Sequence, residues 1–71
     1  MTPQQCRMAR GALDWTVGQL AEKVGVTANT IYAFEDGRNV RPSTEDRILA
    51  ALTAEGVRFG EANSTVSLER A

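Results

Sequence analysis

Residues 16–37 read TVGQLAEKVGVTANTIYAFEDG, and the fold turns on them. Thr16 has the hydroxyl of an N-cap, and Gln19 supplies the other half of a capping box, so a helix begins here. Its inner face carries Leu20, Ala21 and Val24, and Gly25 ends it. Thr27 stands in position to cap a second helix, whose buried stripe is Ile31 and Phe34. A glycine in so short a connection admits positive φ and swings the second helix steeply across the first. The expectation is two capped helices separated by almost nothing, which is the layout of a helix-turn-helix.

Working outward toward the N-terminus, Thr2 as cap, Pro3 at the first helical position and Gln5 in the capping-box place signal another helix. Its inner face holds Cys6, Ala9 and Leu13, with Arg7 and Arg10 as polar exceptions. Trp15, just before the Thr16 cap, reads as core rather than as a ligand contact, because an apolar residue there staples the start of the next helix.

Toward the C-terminus, GRNVRPS (residues 37–43) is a loop by composition, with Gly37 closing the preceding helix in left-handed conformation. Pro42 reads as holding off helix until Ser43, which with Asp46 repeats the capping logic for a fourth helix striped by Ile48, Leu49 and Leu52. Glu55 and Gly56 end it. The tail then changes period: Val57, Arg58 and Phe59 alternate, GEANS (residues 60–64) reads as a turn, and Thr65 to Leu68 alternate again. This is either a two-stranded hairpin or an extended tail in which only Val57 and Phe59 dock. The fold expected is mainly α, four helices with this short C-terminal hairpin or tail. Residues 1–56 form the helix-turn-helix unit and 57–71 a strand element.

Seventy-one residues, 42% of them apolar, suffice for one small domain. One cysteine, Cys6, allows no internal disulfide, and the absence of histidine removes the commonest zinc ligand. No nucleophile-and-base pair, phosphate loop or metal cluster is legible, so no enzyme, cofactor or metal is expected. With no long apolar run and no signal pattern, the chain reads as cytoplasmic. Eight Lys and Arg against nine Asp and Glu give a net charge of −1, whereas a nucleic-acid binder usually shows a basic excess. The distribution matters more: residues 26–34 carry no acid, and Arg38 and Arg41 follow.

The combination of LAEKVGV (residues 20–26), the polar run leading to Ile31, FEDG (34–37) and the Pro42-Ser43 pair resembles the Cro/repressor, or xenobiotic-response-element, family of small bacterial and phage regulators. The resemblance spans Gln5 to Phe59. It implies that the third helix enters the DNA major groove while the helix before it crosses the backbone. By position, Ala28, Asn29, Tyr32 and Ala33 then form the reading face. Asn29 is suited to the N6 and N7 edge of adenine, and the two alanines to a thymine methyl. Thr16, Thr27 and Thr30, with backbone N–H groups at both helix starts, suit phosphate, as do Arg38, Asn39 and Arg41 in the following loop. The same resemblance assigns Arg10 and Glu35 to a partly buried salt bridge. The function expected is a sequence-specific DNA-binding regulator, a repressor acting as a homodimer on a two-fold operator, because one such domain cannot span the distance of about 34 Å between successive major-groove faces. Phe59, Val66 and Leu68 of the tail are the expected dimer contact.

The sequence departs from the family in one place that bears on function. Where the family commonly sets a glutamine on phosphate directly after the cap of helix two, this chain has Val17, then Gly18. That departure and the acidic balance favour the rival reading, a protein-interaction module such as an antitoxin or anti-activator built on the same scaffold. The acid-free stretch of residues 26–34 favours DNA.

Overall fold

The computed structural model describes residues 1–60 and 66–68. In chain order these form α1 (Pro3–Ala12), α2 (Val17–Val24), α3 (Ala28–Glu35), α4 (Pro42–Ala54), β1 (Val57–Phe59) and β2 (Val66–Leu68). The architecture is the mainly α, four-helix arrangement expected, with the tail as an antiparallel hairpin.

The first two helices start as their sequences prescribe. Thr2 Oγ1 accepts from the Gln5 N–H at 3.1 Å while Gln5 Oε1 accepts from the Thr2 N–H at 2.9 Å. Thr16 and Gln19 repeat the exchange at 3.1 and 2.8 Å. Each pair satisfies two backbone donors that a helix start otherwise leaves open. Gly25 closes α2 at φ +86° and Gly37 follows α3 at φ +79°, both in the region where a Cβ is strained.

The other two helices start differently. Thr27 is the N-cap residue of α3 but makes no side-chain cap bond; its hydroxyl lies 3.2 Å from the Thr30 hydroxyl instead. The expected Ser43 cap of α4 is corrected: the helix begins at Pro42, with Arg41 as N-cap and no side-chain cap bond. Proline was read as a breaker, but at a first helical position its fixed φ is already helical and its missing N–H costs nothing.

The core joins all the elements. It holds Cys6, Ala9 and Leu13 of the α1 region, Val17, Leu20, Ala21 and Val24 of α2, Ile31 and Phe34 of α3, Ile48 and Leu52 of α4, and Val57 of β1. Leu49 is only half-buried. Emptying a site such as Leu20 or Ile48 to alanine would cost about 2–5 kcal/mol. Trp15 packs on this core from the edge, with the Lys23 ammonium 5.8 Å from its ring centroid. In the hairpin, Val57 pairs with Leu68 and Phe59 with Val66. Val57 is buried, and Phe59 and Val66 pack partly against the core. Thr65 and the side chain of Leu68 lie outside the described residues. Gln5, itself 4% exposed, donates from Nε2 to the carbonyl of Gly60 at 3.3 Å, so α1 also holds the end of β1. None of the described helices is long and apolar enough to cross a membrane.

Candidate nucleic-acid interface

The α2–α3 pair is fixed from behind by α1. Glu35, the last residue of α3 and 5% exposed, receives donors from three residues of α1. Arg10 donates from Nε to Oε2 and from Nη2 to Oε1, both at 3.0 Å, and Cys6 Sγ donates to Oε2 at 3.4 Å. Arg7 Nη1 donates to the Glu35 backbone carbonyl. The remaining arm of Arg10, Nη1, donates to the Trp15 carbonyl at 3.1 Å, just ahead of α2. One guanidinium therefore holds the end of α3 and the approach to α2 together. The two-pronged geometry suits arginine rather than lysine.

Electrostatics follow from this arrangement. The hydrogen bond to Glu35 raises the Arg10 pKa. Burial, then the neighbouring Glu35 charge, pushes the Cys6 thiol up to about 12, so the sulfur is a proton donor here and not a nucleophile.

On the opposite side, α3 turns Asn29 and Tyr32 outward, Tyr32 being 51% exposed. Thr30 and Ala33 are half-buried, and Ala28 is half-buried against the core, so the face expected to read is narrower than four residues. Asn29, Thr30, Ala33, Asn39, Val40, Arg41 and Thr44 line one open groove of about 390 Å³, where α3 meets the loop and the start of α4. The structure thus brings together five of the ten residues singled out from sequence: Asn29, Thr30, Ala33, Asn39 and Arg41. Thr27 is exposed at the head of α3, and Tyr32 and Arg38 are exposed outside the groove lining. Arg38 donates to Asp36 at 3.2 Å, a pair exposed on both sides that spends part of the arginine's charge.

Thr16 is exposed but its oxygen is already the acceptor of the capping box, and Val17 beside it is buried. The capping box thus closes two backbone donors at the start of α2, while the Thr16 hydroxyl keeps its own O–H to donate. By contrast α3 and α4 begin with no side-chain cap. The Thr27 carbonyl takes the Thr30 N–H at 3.1 Å and the Arg41 carbonyl those of Thr44 and Glu45 at 2.9 and 3.1 Å, which leaves the earlier N–H groups of Asn29 and Ser43 with no cap side chain. Such groups present partial positive charge to an anion. Val40 and Thr44 were not singled out from the sequence. The signal for Thr44 was its place three residues after Arg41, one turn along a helix once Pro42 is taken as its first residue.

A tight α-turn-α unit whose second helix turns polar residues outward, backed by two further helices, defines a helix-turn-helix protein. Residues 4–61 match the model of a family described as helix-turn-helix domain. The chain belongs to that family, whose members are in general DNA-binding regulators. No curated protein matches the chain.

Proposed function

We propose that the chain is a sequence-specific DNA-binding transcriptional regulator, a cytoplasmic repressor whose α3 reads the major groove. The observation that carries this is the groove beside α3: among the described residues Arg41 is its one charged lining residue and no carboxylate lines it, in a chain whose net charge is −1. Asn29 meets a base edge, with Tyr32 on a base or phosphate beside it. Arg41, Asn39, Thr30 and the open starts of α3 and α4 engage phosphate. Arg38 and Thr27 lie close enough in sequence to extend that backbone contact.

The domain's longest dimension is 30 Å, whereas successive major-groove faces lie about 34 Å apart. A homodimer on a two-fold operator supplies the second reading helix, and the hairpin, through Phe59, Val66 and Leu68, is the proposed contact. Phe59→Ser with Leu68→Ser is then expected to give monomers by sedimentation equilibrium; a dimer that persists removes the hairpin from the interface.

Fluorescence anisotropy with a duplex selected from a randomised library, at two salt concentrations, tests the main reading. Tight, salt-dependent binding weakened by Asn29→Ala and Arg41→Ala supports it; no selected sequence, or indifference to both changes, defeats it. The buried Val17 and closed start of α2 favour a second reading, a protein-interaction module of the antitoxin or anti-activator kind. Under that reading the same substitutions leave nucleic acid irrelevant and disturb a protein complex instead.

A further inference from the structure

Arg47 has no part in the reading above. It lies on α4 next to Ile48, which is wholly buried, so its backbone is firmly seated. Its side chain reaches back to the turn between α2 and α3. Nη2 donates to the carbonyl of Val24 at 2.8 Å and to that of Gly25 at 3.4 Å. These are the last residue of α2 and its cap, whose carbonyls find no amide further along the helix. A guanidinium there supplies the missing donor and places positive charge at the negative end of the α2 dipole. Inside the turn, the Gly25 and Val26 N–H groups both donate to the Ala21 carbonyl, at 2.8 and 3.0 Å. The turn is thus closed from within by α2 and from outside by α4.

The fit around Gly25 is close. A Cβ built on it would lie 2.9 Å from Arg47 Nη2, and its φ is +86°. The left-handed backbone requires glycine here, and a Cβ would also push the far end of the Arg47 side chain off its carbonyls.

We propose that Arg47 is the positioning residue of the reading helix: by clasping the Val24 and Gly25 carbonyls it fixes the angle at which α3 leaves α2, and so sharpens sequence discrimination without touching a base. The inference rests on the DNA-reading role of α3 for its functional consequence, while the geometric part stands without it. Only three residues, Gly25 to Thr27, separate the two helices. A change in this turn is carried directly to Asn29, and bidentate base contacts tolerate little displacement.

The test compares Arg47→Ala and Arg47→Lys with the parent protein in three measurements. Residual dipolar couplings of free protein report the α2–α3 angle; the alanine variant should show α3 reoriented, with the lysine variant intermediate. Unchanged couplings overturn the proposal whatever DNA does. Anisotropy should show Arg47→Ala losing about tenfold of the preference for the selected duplex over a scrambled one, with an unaltered salt slope. An equal loss on both duplexes with a slope lowered by about 0.9 would make Arg47 a phosphate contact and overturn the proposal. If the parent protein prefers no duplex, the DNA reading has failed and the couplings alone decide the geometric claim. Finally, the stability lost by Gly25→Ala should be smaller in the Arg47→Ala background, because only backbone strain remains; equal losses in both backgrounds would deny the close fit.

Discussion

The four helices begin in two different ways, and the division follows the molecule's two sides. At the starts of α1 and α2, a threonine and a glutamine exchange hydrogen bonds with each other's backbone, leaving those turns closed. At the starts of α3 and α4 no side chain does this, and residues near both starts line the groove beside α3. The closed ends belong to the part of the fold that must hold still. The ends without a side-chain cap leave uncapped the N–H groups of Asn29 and Ser43, which under the proposed reading meet an incoming anion, at a cost to stability of about 1 kcal/mol per missing cap. Stability and binding capacity are thus drawn from different helix starts.

The strongest challenge to this contrast is Glu35→Ala, which leaves the Arg10 guanidinium partly buried without its carboxylate. A loss of about 3 kcal/mol is expected in urea denaturation, with both capping boxes intact. A loss under about 1 kcal/mol would mean that the closed side is not what holds α3. Next comes Asn29→Ala, expected to cost about 1–3 kcal/mol of discrimination at an adenine in the selected duplex while the melting temperature stays put. A falling melting temperature would make Asn29 structural.

The contrast is sharpened most directly by paired threonines. Thr16→Ala should cost about 1 kcal/mol of stability because it opens a working cap, whereas Thr27→Ala should cost under about 0.5 kcal/mol and act on DNA affinity instead. Equal stability losses would erase the distinction. Arg41→Ala should make the dependence of log K on log salt shallower by about 0.9, and Arg38→Ala by less, since Asp36 already engages it.

A last effect, small at ordinary pH, concerns the thiol on the closed side. In the unfolded chain Cys6 ionises near 9.0, but in the fold its pKa is about 12. Above pH 9 the unfolded state gives up its proton first, so it binds fewer protons than the native state and stability falls as pH rises. That contribution is fully present below pH 9 and is lost progressively toward pH 12; by pH 9.5 the loss is about 1 kcal/mol or less. Cys6→Ala should remove this part of the slope in pH-dependent melting, and a slope that persists unaltered would assign it elsewhere.

What could be read from the sequence was local. A capping box spans three residues, so Thr2 with Gln5 and Thr16 with Gln19 announce themselves, and Gly25 and Gly37 end their helices where a left-handed residue is required. The start of α4 was misread because Pro42 obeys two opposite rules depending on whether it lies inside a helix or at its first position. Val17 was legible in principle: it precedes Leu20, Ala21 and Val24 at helical spacings, which makes it the first residue of the buried stripe. The Arg10 and Glu35 pair came from resemblance and not from pattern, since its members are 25 residues apart. Arg47 had no signal of that kind, and Thr44 only its place one turn past Arg41. Their roles depend on how α4 lies against the turn and the groove, which the spacing of apolar residues does not encode.

The attachment of α3 through Ile31, Phe34 and Glu35 has a consequence for how such a protein diversifies. The residues that hold the helix are all on its inner side, while Asn29 and Tyr32 lie outside the core. Drift at the outward positions is therefore nearly free of folding penalty, and under the proposed reading a lineage acquires a new target by exchanging one or two side chains on an unchanged frame. The same separation makes this helix a practical place to graft the outward residues of another regulator.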